Sequence, residues 1–295
     1  TSSIKTIYGR KGKDNYKIVI FLDMKTLYIS DLDGTLLNKE GCISDYTIET
    51  INKLIDQGMN FTYATARSLV SATPVTKKLK LNLPLIIYNG TFIIDGKSGK
   101  FIYKNIFYDL QVEFVKNIMK KNKINPMVYA LVDGKERVTI INEKLNDGMK
   151  EYLTKRKDDP RINLTNDLHS LYQGEVYYFT VIGSYQELNS VYEMLKDNVN
   201  YNVTFQQEIY RDEYWLEIMP KTASKANAIL KLKEILKCDE IVCFGDAIND
   251  LEMFKVSNQS YAMENAVDQL KKHATAIIDS NENDGVANWL IKNFK

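Results

Sequence analysis

The sequence predicts an α/β fold, in which a parallel sheet with helices between its strands is interrupted by an inserted α+β module. Strand-like and helix-like patterns alternate over residues 24–90, and the same alternation returns after Pro220. Between these stretches the patterns are those of antiparallel strands with helices among them. Because short strand–helix–strand spacings are typical of parallel sheets with right-handed crossovers, we predict a core over residues 24–90 and 216–295 and a module over residues 91–215.

The first part of the core is predicted from apolar runs that alternate with stretches of helical spacing. Ser44 is the expected N-cap of the first helix, which carries isoleucine and leucine on one side and ends before Gly58. The predicted elements are a strand over 26–30, a helix over 44–59, a strand over 60–66, a helix over 67–79 that is interrupted near Pro74, and a third strand of the sheet over 83–90.

The module and the second part of the core are predicted in the same way. In the module, two strand-like runs flank "DGKSG", which indicates a hairpin. They are followed by a strand over 174–183, a helix over 184–197, and strands over 201–210 and 213–220. In the core we predict helices over 224–237, 249–257, 266–274 and 284–294, and strands over 240–246 and 259–264.

The first residues of the chain differ from the rest, because they are polar and basic as far as Lys17. We expect residues 1–23 to form an extension and the compact domain to begin near Met24. An alternative stays open, in which the segment "KIVIFL" over 17–22 is an extra strand at the edge of a sheet.

The composition argues against several classes of protein. Lys+Arg 39 against Asp+Glu 38 gives a net charge of +1, so we expect neither a nucleic acid nor an anionic membrane as partner. The apolar run over 18–22 is far shorter than the roughly 20 residues that span a bilayer. The 3 cysteines are widely spaced and there are 2 histidines, which argues against a zinc-type cluster and favours the reducing cytoplasm.

Acidic side chains follow two of the predicted core strands. Asp31 and Asp33 come directly after the first of them, and Asp246 and Asp250 follow a later one. Ligands bind beyond the carboxyl ends of such strands, and clustered carboxylates are costly unless a cation compensates them. Oxygen ligands without a nearby histidine or thiol favour Mg²⁺. We therefore predict a Mg²⁺ site, and the spacing of Asp246 and Asp250 places both on one side of a helix start.

A lysine, a threonine and a glycine at neighbouring positions suit a phosphoryl group. Lys225 opens a predicted helix and would neutralise a phosphate oxygen, and Thr65 would donate a hydroxyl hydrogen bond. Gly34 would let the backbone approach a phosphate closely. Asp31 is placed to attack phosphorus, and Asp33 can exchange protons with the leaving oxygen and the attacking water.

The segments that carry these residues resemble a known family. "DLDGTL" at 31–36, "TAR" at 65–67, "SKANA" at 224–228 and "GDAIND" at 245–250 resemble the haloacid dehalogenase superfamily of phosphohydrolases, in the order of its motifs. "YNG" at 88–90 and "NDGVANWL" at 283–290 resemble its Cof-type branch, subfamily IIB with a C2-type cap. The resemblance runs from about Met24 to the end of the chain. It implies a Rossmann-like core with a parallel sheet and a cap that contacts the leaving group of the substrate.

The resemblance also implies a role for each matching residue. Asp31 would be the nucleophile, and Asp33 the acid and base that also lends its main-chain carbonyl to Mg²⁺. The implied metal ligands are Asp31, Asp33 and Asp246, and the implied phosphate-binding residues are Gly34, Thr65, Lys225 and Asn249. Asn249 and Asp250 would orient metal-bound water or the lysine. One departure is Ala66, because related enzymes usually have glycine after the threonine.

We therefore expect a Mg²⁺-dependent phosphohydrolase that acts on small phosphorylated metabolites such as sugar phosphates, through an aspartyl-phosphate. A phosphomutase of the same superfamily is an alternative, in which the phosphoryl group returns to a bound sugar. A phosphate-binding regulator without turnover is another. Asp33 argues against it, because receiver domains lack an acid two residues after the phosphorylated one.

Three further features have simple structural interpretations. Asn89 and Gly90 fit a turn better than a substrate contact. Arg67 fits either a contact with substrate phosphate or a helix surface. The aromatic residues of "VYYF" and "YW" in the module fit a core and cross-strand pairs better than a ligand site.

Overall fold

The computed structural model describes the backbone of residues 2–11 and 14–23 and all atoms of residues 25–207 and 212–294. The chain divides into two units. The first unit combines the chain up to Ile102 with the chain from Lys225 onward, and the second unit is Tyr103–Ser224. The predicted module began at residue 91 and ended at 215, so both of its boundaries lie later in the structure.

We number the strands and the helices separately, each in the order of the chain. The strands are β1 (Ser2–Lys11), β2 (Asp14–Asp23), β3 (Thr26–Ser30), β4 (Asn60–Tyr63), β5 (Leu85–Ile87), β6 (Phe92–Ile94), β7 (Phe101–Lys104), β8 (Met127–Val132), β9 (Lys135–Ile141), β10 (Ile162–Thr165), β11 (Glu175–Gly183), β12 (Tyr201–Gln207), β13 (Tyr214–Pro220), β14 (Glu240–Gly245), β15 (Gln259–Met263) and β16 (Ala276–Ile278). The helices are α1 (Asp45–Asp56), α2 (Leu69–Thr76), α3 (Asp109–Lys121), α4 (Asp147–Lys155), α5 (Tyr185–Leu195), α6 (Lys225–Leu236), α7 (Leu251–Val256), α8 (Asp268–Lys271) and α9 (Gly285–Asn293).

A five-stranded parallel sheet forms the centre of the first unit, with the strand order β16-β15-β14-β3-β4. β3 lies between β14 and β4, and its residues Leu27 and Ile29 are fully buried. A strand that is covered on both faces is apolar nearly throughout, which is why "TLYIS" is recognisable from the sequence. The predicted fold class, an α/β fold with a parallel core sheet, is confirmed.

The helices of this unit follow the expected local signals, with one exception. In α1, the side chain of Ser44 accepts a hydrogen bond from the Thr47 amide, and the apolar side of the helix is buried. The expected interruption of the second helix near Pro74 is wrong, because α2 contains Pro74 and continues to Thr76. Proline removes one hydrogen bond and clashes with the preceding turn, and α2 ends two residues later.

The predicted third strand over 83–90 belongs to a different sheet. β5 pairs with β6 in antiparallel register, from Leu85 opposite Ile94 to Ile87 opposite Phe92, and β7 completes a three-stranded sheet. β5 meets the core at a parallel bridge between Ala64 and Ile86. The first strand of the hairpin around "DGKSG" is β6, and it pairs with β5. For this reason β6 belongs to the first unit and not to the second.

A six-stranded sheet forms the second unit, in the order β10-β9-β8-β11-β13-β12. β10 pairs with β9 in parallel and the other neighbours are antiparallel. Apolar residues of α3 and α5, among them Val115 and Leu188, pack with one face of this sheet. The aromatic run of β11, Tyr177 to Phe179, is buried as the core interpretation expected.

The N-terminal strands pair with each other. β1 and β2 form an antiparallel two-stranded sheet of their own, from Ser2 opposite Asp23 to Lys11 opposite Asp14. The segment over 17–22 therefore is a strand, as the alternative interpretation held, but its partner is β1. The assignment of residues 1–23 to an extension stays a prediction.

Candidate active site

Asp31 lies directly beyond the carboxyl end of β3, in the middle of the core sheet. Its amide donates to Phe244 O at 3.0 Å, which continues the pairing of β3 with β14 by one residue. The Asp31 residue is 4% exposed, because neighbouring strands and the following turn surround it. Asp33, two residues later, has a side chain that is 56% exposed. The strand end thus presents one buried and one accessible carboxylate.

A tight turn follows these two aspartates. Gly34 has φ +74°, and a Cβ atom there would lie 2.2 Å from Asp246 Oδ2. The next residue, Thr35, donates its hydroxyl to Asp246 Oδ1 at 2.8 Å. Only glycine combines this left-handed backbone with such a close approach. Gly34 therefore lets the turn pack directly against the carboxylate of Asp246.

Asp250 turns back onto the loop that carries Asp246. Its Oδ2 accepts from the amides of Asp246 at 3.0 Å and Ala247 at 3.1 Å. Asp250 closes a short 3-10 turn over Ile248–Asp250, and Asp246 precedes that turn. The two carboxylates lie close together, as the spacing predicts, although Asp246 itself is not helical.

Lys225 is buried between two carboxylates. Its Nζ donates to Asp31 Oδ1 at 2.6 Å and to Asp250 Oδ1 at 2.7 Å, and the residue is 2% exposed. Burial by itself lowers the pKa of Lys225, but Asp250 and Asp31 raise it by more, so the pKa lies above its ordinary value. The first residue of α6 is thereby held as a cation at the end of β3.

Three carboxylates lie close together beside this single lysine. Asp31, Asp246 and Asp250 each offer one oxygen, and these oxygens lie within 4.8 Å of one another. Burial raises the pKa of Asp31 to about 8, with a further increase from Asp250 that Lys225 opposes. Burial also raises the pKa of Asp246 to about 6. One lysine does not neutralise this cluster, so a cation would lower the free energy of the ionised site.

The donor set fits a hard divalent cation. Both oxygens of Asp250 already accept hydrogen bonds, from Lys225 and from two backbone amides. Asp31 and Asp246 therefore have the oxygens best suited to a metal, and Asp250 is suited to hold the lysine. Oxygen-only ligation is what Mg²⁺ and Ca²⁺ prefer. The candidate metal centre thus lies between the ends of β3 and β14.

Thr65 follows β4, the strand beside β3. The Thr65 residue is fully buried, and its amide donates to Ile86 O at 3.0 Å. The hydroxyl oxygen accepts from the Arg67 amide at 3.1 Å, which leaves its hydrogen to donate to a ligand. Ala66, where related enzymes usually have glycine, is exposed, and Thr65 keeps its place at the strand end.

Arg67 and Asn249 contact other site residues. Arg67 donates from Nε to Asp33 Oδ2 at 2.8 Å and from Nη2 to Asp33 Oδ1 at 2.6 Å. The two interpretations left open for Arg67 did not include this bidentate pair. Asn249 donates from Nδ2 to Asn89 Oδ1 at 3.3 Å. Asn89 lies in a turn, as expected, and it also joins the site through Asn249.

Two positioning residues were not found from the sequence. Asn265 donates from Nδ2 to Gly34 O at 2.8 Å, and Asn281 donates from Nδ2 to Leu37 O at 2.8 Å. The Asn281 amide in turn donates to Asn265 Oδ1 at 3.1 Å. Both asparagines hold the turn after Asp33, and they lie more than 200 positions away in the chain. No local pattern signals such a contact.

Three comparisons place this architecture among known proteins. A family model described as haloacid dehalogenase-like hydrolase matches residues 28–290. The 5-amino-6-(5-phospho-D-ribitylamino)uracil phosphatase YwtE of Bacillus subtilis is 29% identical over 286 residues, which cover 90% of this chain and 97% of that protein. The HMP-PP phosphatase of Yersinia pseudotuberculosis is 28% identical over 277 residues, with 90% and 94% covered.

A solved structure agrees with these relatives. The crystal structure of a haloacid dehalogenase-like hydrolase from Bacteroides thetaiotaomicron superposes with a TM-score of 0.76 at 26% identity, and the match covers 92% of this chain and 100% of that one. The predicted superfamily and the predicted enzyme class, a phosphatase, are thereby confirmed. The chain belongs to the haloacid dehalogenase-like hydrolases.

Proposed function

We propose that the chain is a Mg²⁺-dependent phosphohydrolase that acts on small phosphorylated metabolites, sugar phosphates in particular, through an aspartyl-phosphate on Asp31. The observation that carries this proposal is the position of Lys225 Nζ, 2.6 Å from Asp31 and 2.7 Å from Asp250. This pairing fixes the orientation of the Asp31 carboxylate, which would attack phosphorus. Such fixed positive charge stabilises the negative charge of a phosphoryl transition state.

The residues then divide the reaction into two displacements. In the first, an Asp31 oxygen forms a bond to phosphorus, the bond to the leaving oxygen breaks, and Asp33 donates a proton to that oxygen. In the second, water forms a bond to phosphorus and gives its proton to Asp33, and the bond to Asp31 breaks. The Asp33 side chain is 56% exposed, and both of its oxygens accept from Arg67, so this pair would have to open for Asp33 to carry the proton.

The proposed metal would be held by Asp31 and Asp246, with the main-chain carbonyl of Asp33 as a further ligand. When bound, Mg²⁺ supplies positive charge that offsets the carboxylates and the phosphoryl oxygens. Thr65 donates its hydroxyl to the phosphoryl group, and Gly34 lets the turn amides approach it. Asp250 keeps Lys225 in place through the bond at 2.7 Å.

The inserted second unit is the proposed cap that selects the leaving group. Support for a phosphorylated small molecule comes from the relatives, because one of them is named for a phosphoribityl compound. For the compartment we propose the cytoplasm, which agrees with the free thiols of Cys42, Cys238 and Cys243. Within the described residues, no helix is both long and apolar enough to cross a membrane.

A panel of phosphorylated metabolites, assayed for released phosphate with and without Mg²⁺, tests this proposal. We expect the wild type to release phosphate from sugar phosphates in Mg²⁺. The variant Asp31→Asn should release none, because an amide is a poor nucleophile. Asp33→Asn should form the aspartyl-phosphate and hydrolyse it very slowly. An isomerised sugar phosphate without free phosphate would indicate the mutase instead, and full activity in Asp31→Asn would contradict the mechanism.

A further inference from the structure

The turn between β5 and β6 holds three consecutive residues in the left-handed region. Tyr88 has φ 49°, Asn89 has φ 51° and Gly90 has φ 91°. Left-handed backbone is unfavourable for a bulky side chain such as tyrosine and tolerable for asparagine. Local strain of this kind is retained where the surrounding structure enforces it, often at functional sites.

The backbone of this turn is attached to the loop that carries Thr65. The Tyr88 amide donates to Arg67 O at 3.0 Å, and the Asn89 amide donates to Thr65 O at 2.9 Å. Both bonds use backbone atoms, so a glycine at position 89 would form its bond with less strain. The side chain of Asn89 is therefore not required for the shape of the turn.

The side chain of Asn89 instead connects this turn to the loop that follows Asp246. Its Oδ1 accepts from Asn249 Nδ2 at 3.3 Å, and Asn249 lies on the loop that follows Asp246. The Asn89 residue is partly exposed, and its Nδ2 donates no hydrogen bond to residues 25–207 or 212–294. An amide that is held by its oxygen presents its N–H groups to a ligand that accepts hydrogen bonds.

We propose that Asn89 is a substrate-binding residue, whose Nδ2 donates a hydrogen bond to an oxygen of the phosphoryl group beside the Thr65 hydroxyl. This inference rests on the proposed phosphatase function and adds one donor to it. Asn249 then acts through Asn89, because it fixes the amide oxygen and so directs the nitrogen towards the anion.

The variant Asn89→Gly tests this role with little risk to the fold, because glycine keeps the left-handed backbone. A matched control is Asp133→Gly, which changes another left-handed residue, with φ 50°, in the exposed turn between β8 and β9. Inorganic phosphate serves as the probe, both by calorimetry in Mg²⁺ and as an inhibitor of aryl phosphate hydrolysis. Melting temperatures are recorded for all variants.

We expect Asn89→Gly to weaken phosphate binding and to raise KM by roughly tenfold, since a hydrogen bond to a charged oxygen is lost. Its melting temperature should stay the same or rise. Asn89→Asp should bind phosphate more weakly still, because it places a carboxylate beside the anion. Asp133→Gly should match the wild type in both measurements.

Equal phosphate affinity and equal KM in Asn89→Gly and the wild type would overturn the inference. A wild type that hydrolyses no ester but binds phosphate more tightly than Asn89→Gly would contradict the proposed function and leave the role of Asn89 standing. Weaker binding in Asp133→Gly that equals the loss in Asn89→Gly would assign the effect to the glycine substitution, and this too would overturn the inference.

Discussion

Replacing Gly34 by alanine should disable the site through a steric clash and not through the loss of a functional group. The new Cβ atom would lie 2.2 Å from Asp246 Oδ2 and 2.6 Å from Asp246 Cγ, whereas ordinary contacts of a Cβ begin near 3.4 Å. The Asp246 carboxylate must therefore withdraw by more than 1 Å. This movement stretches its 2.8 Å hydrogen bond from Thr35 and displaces a proposed metal ligand.

This substitution should affect both the stability of the protein and its affinity for the metal. The left-handed backbone, φ +74°, costs an alanine about 1 kcal/mol in the free energy of unfolding. The displaced carboxylate adds a loss of metal affinity, and disturbing the surroundings of a metal typically costs about 10- to 100-fold in affinity or activity. We expect Gly34→Ala to fold, and to need at least about tenfold more Mg²⁺ for half-maximal hydrolysis.

Gly41→Ala is the matched control. Gly41 has φ +73°, and a Cβ atom there would meet no atom within 4 Å. The control therefore carries the backbone cost without the clash. Both variants are titrated with Mg²⁺ in an aryl phosphate assay, and their stability is compared by urea unfolding. A Gly34→Ala protein with the Mg²⁺ dependence of Gly41→Ala would refute the packing argument.

Two further predictions concern the charges of the site. Lys225→Met should lower the free energy of unfolding by about 3–5 kcal/mol, because two buried carboxylates lose their cation; wild-type stability in urea would show that the lysine does not balance them. The other prediction concerns pH in the presence of a chelator. Burial in the folded protein raises the pKa of Asp31 to about 8 and that of Asp246 to about 6, from an ordinary value of 3.8. Folding therefore favours the neutral form of both carboxyl groups. Their contribution to stability is then full below about pH 4 and is lost as the pH rises towards about 8, so the melting temperature should fall over this range and fall less in Mg²⁺. A melting temperature that rises with pH in chelator would contradict these shifts.

Much of the first unit could be predicted because its elements have strong local signals. β3 is a buried strand between two neighbours, so its apolar run is continuous, and α1 begins at a serine cap. β5 was assigned to the parallel sheet because a short apolar run does not reveal its partner. Its pairing with β6 brings the first strand of the predicted hairpin into the first unit, which local patterns do not show.

The residue types at the ends of the core strands can be predicted, because each follows a recognisable apolar run. The strand ends thus indicate Asp31 and Asp246, the start of a predicted helix indicates Lys225, and their motifs resemble those of the family. Which of their atoms meet depends on the three-dimensional fold. The 2.6 Å contact of Lys225 with Asp31 and the close approach of Gly34 to Asp246 join residues about 200 positions apart. Such contacts depend on how strands and helices are arranged in space. They are not visible in the sequence, because periodicity shows which side of a segment is buried but not which segment lies beside it.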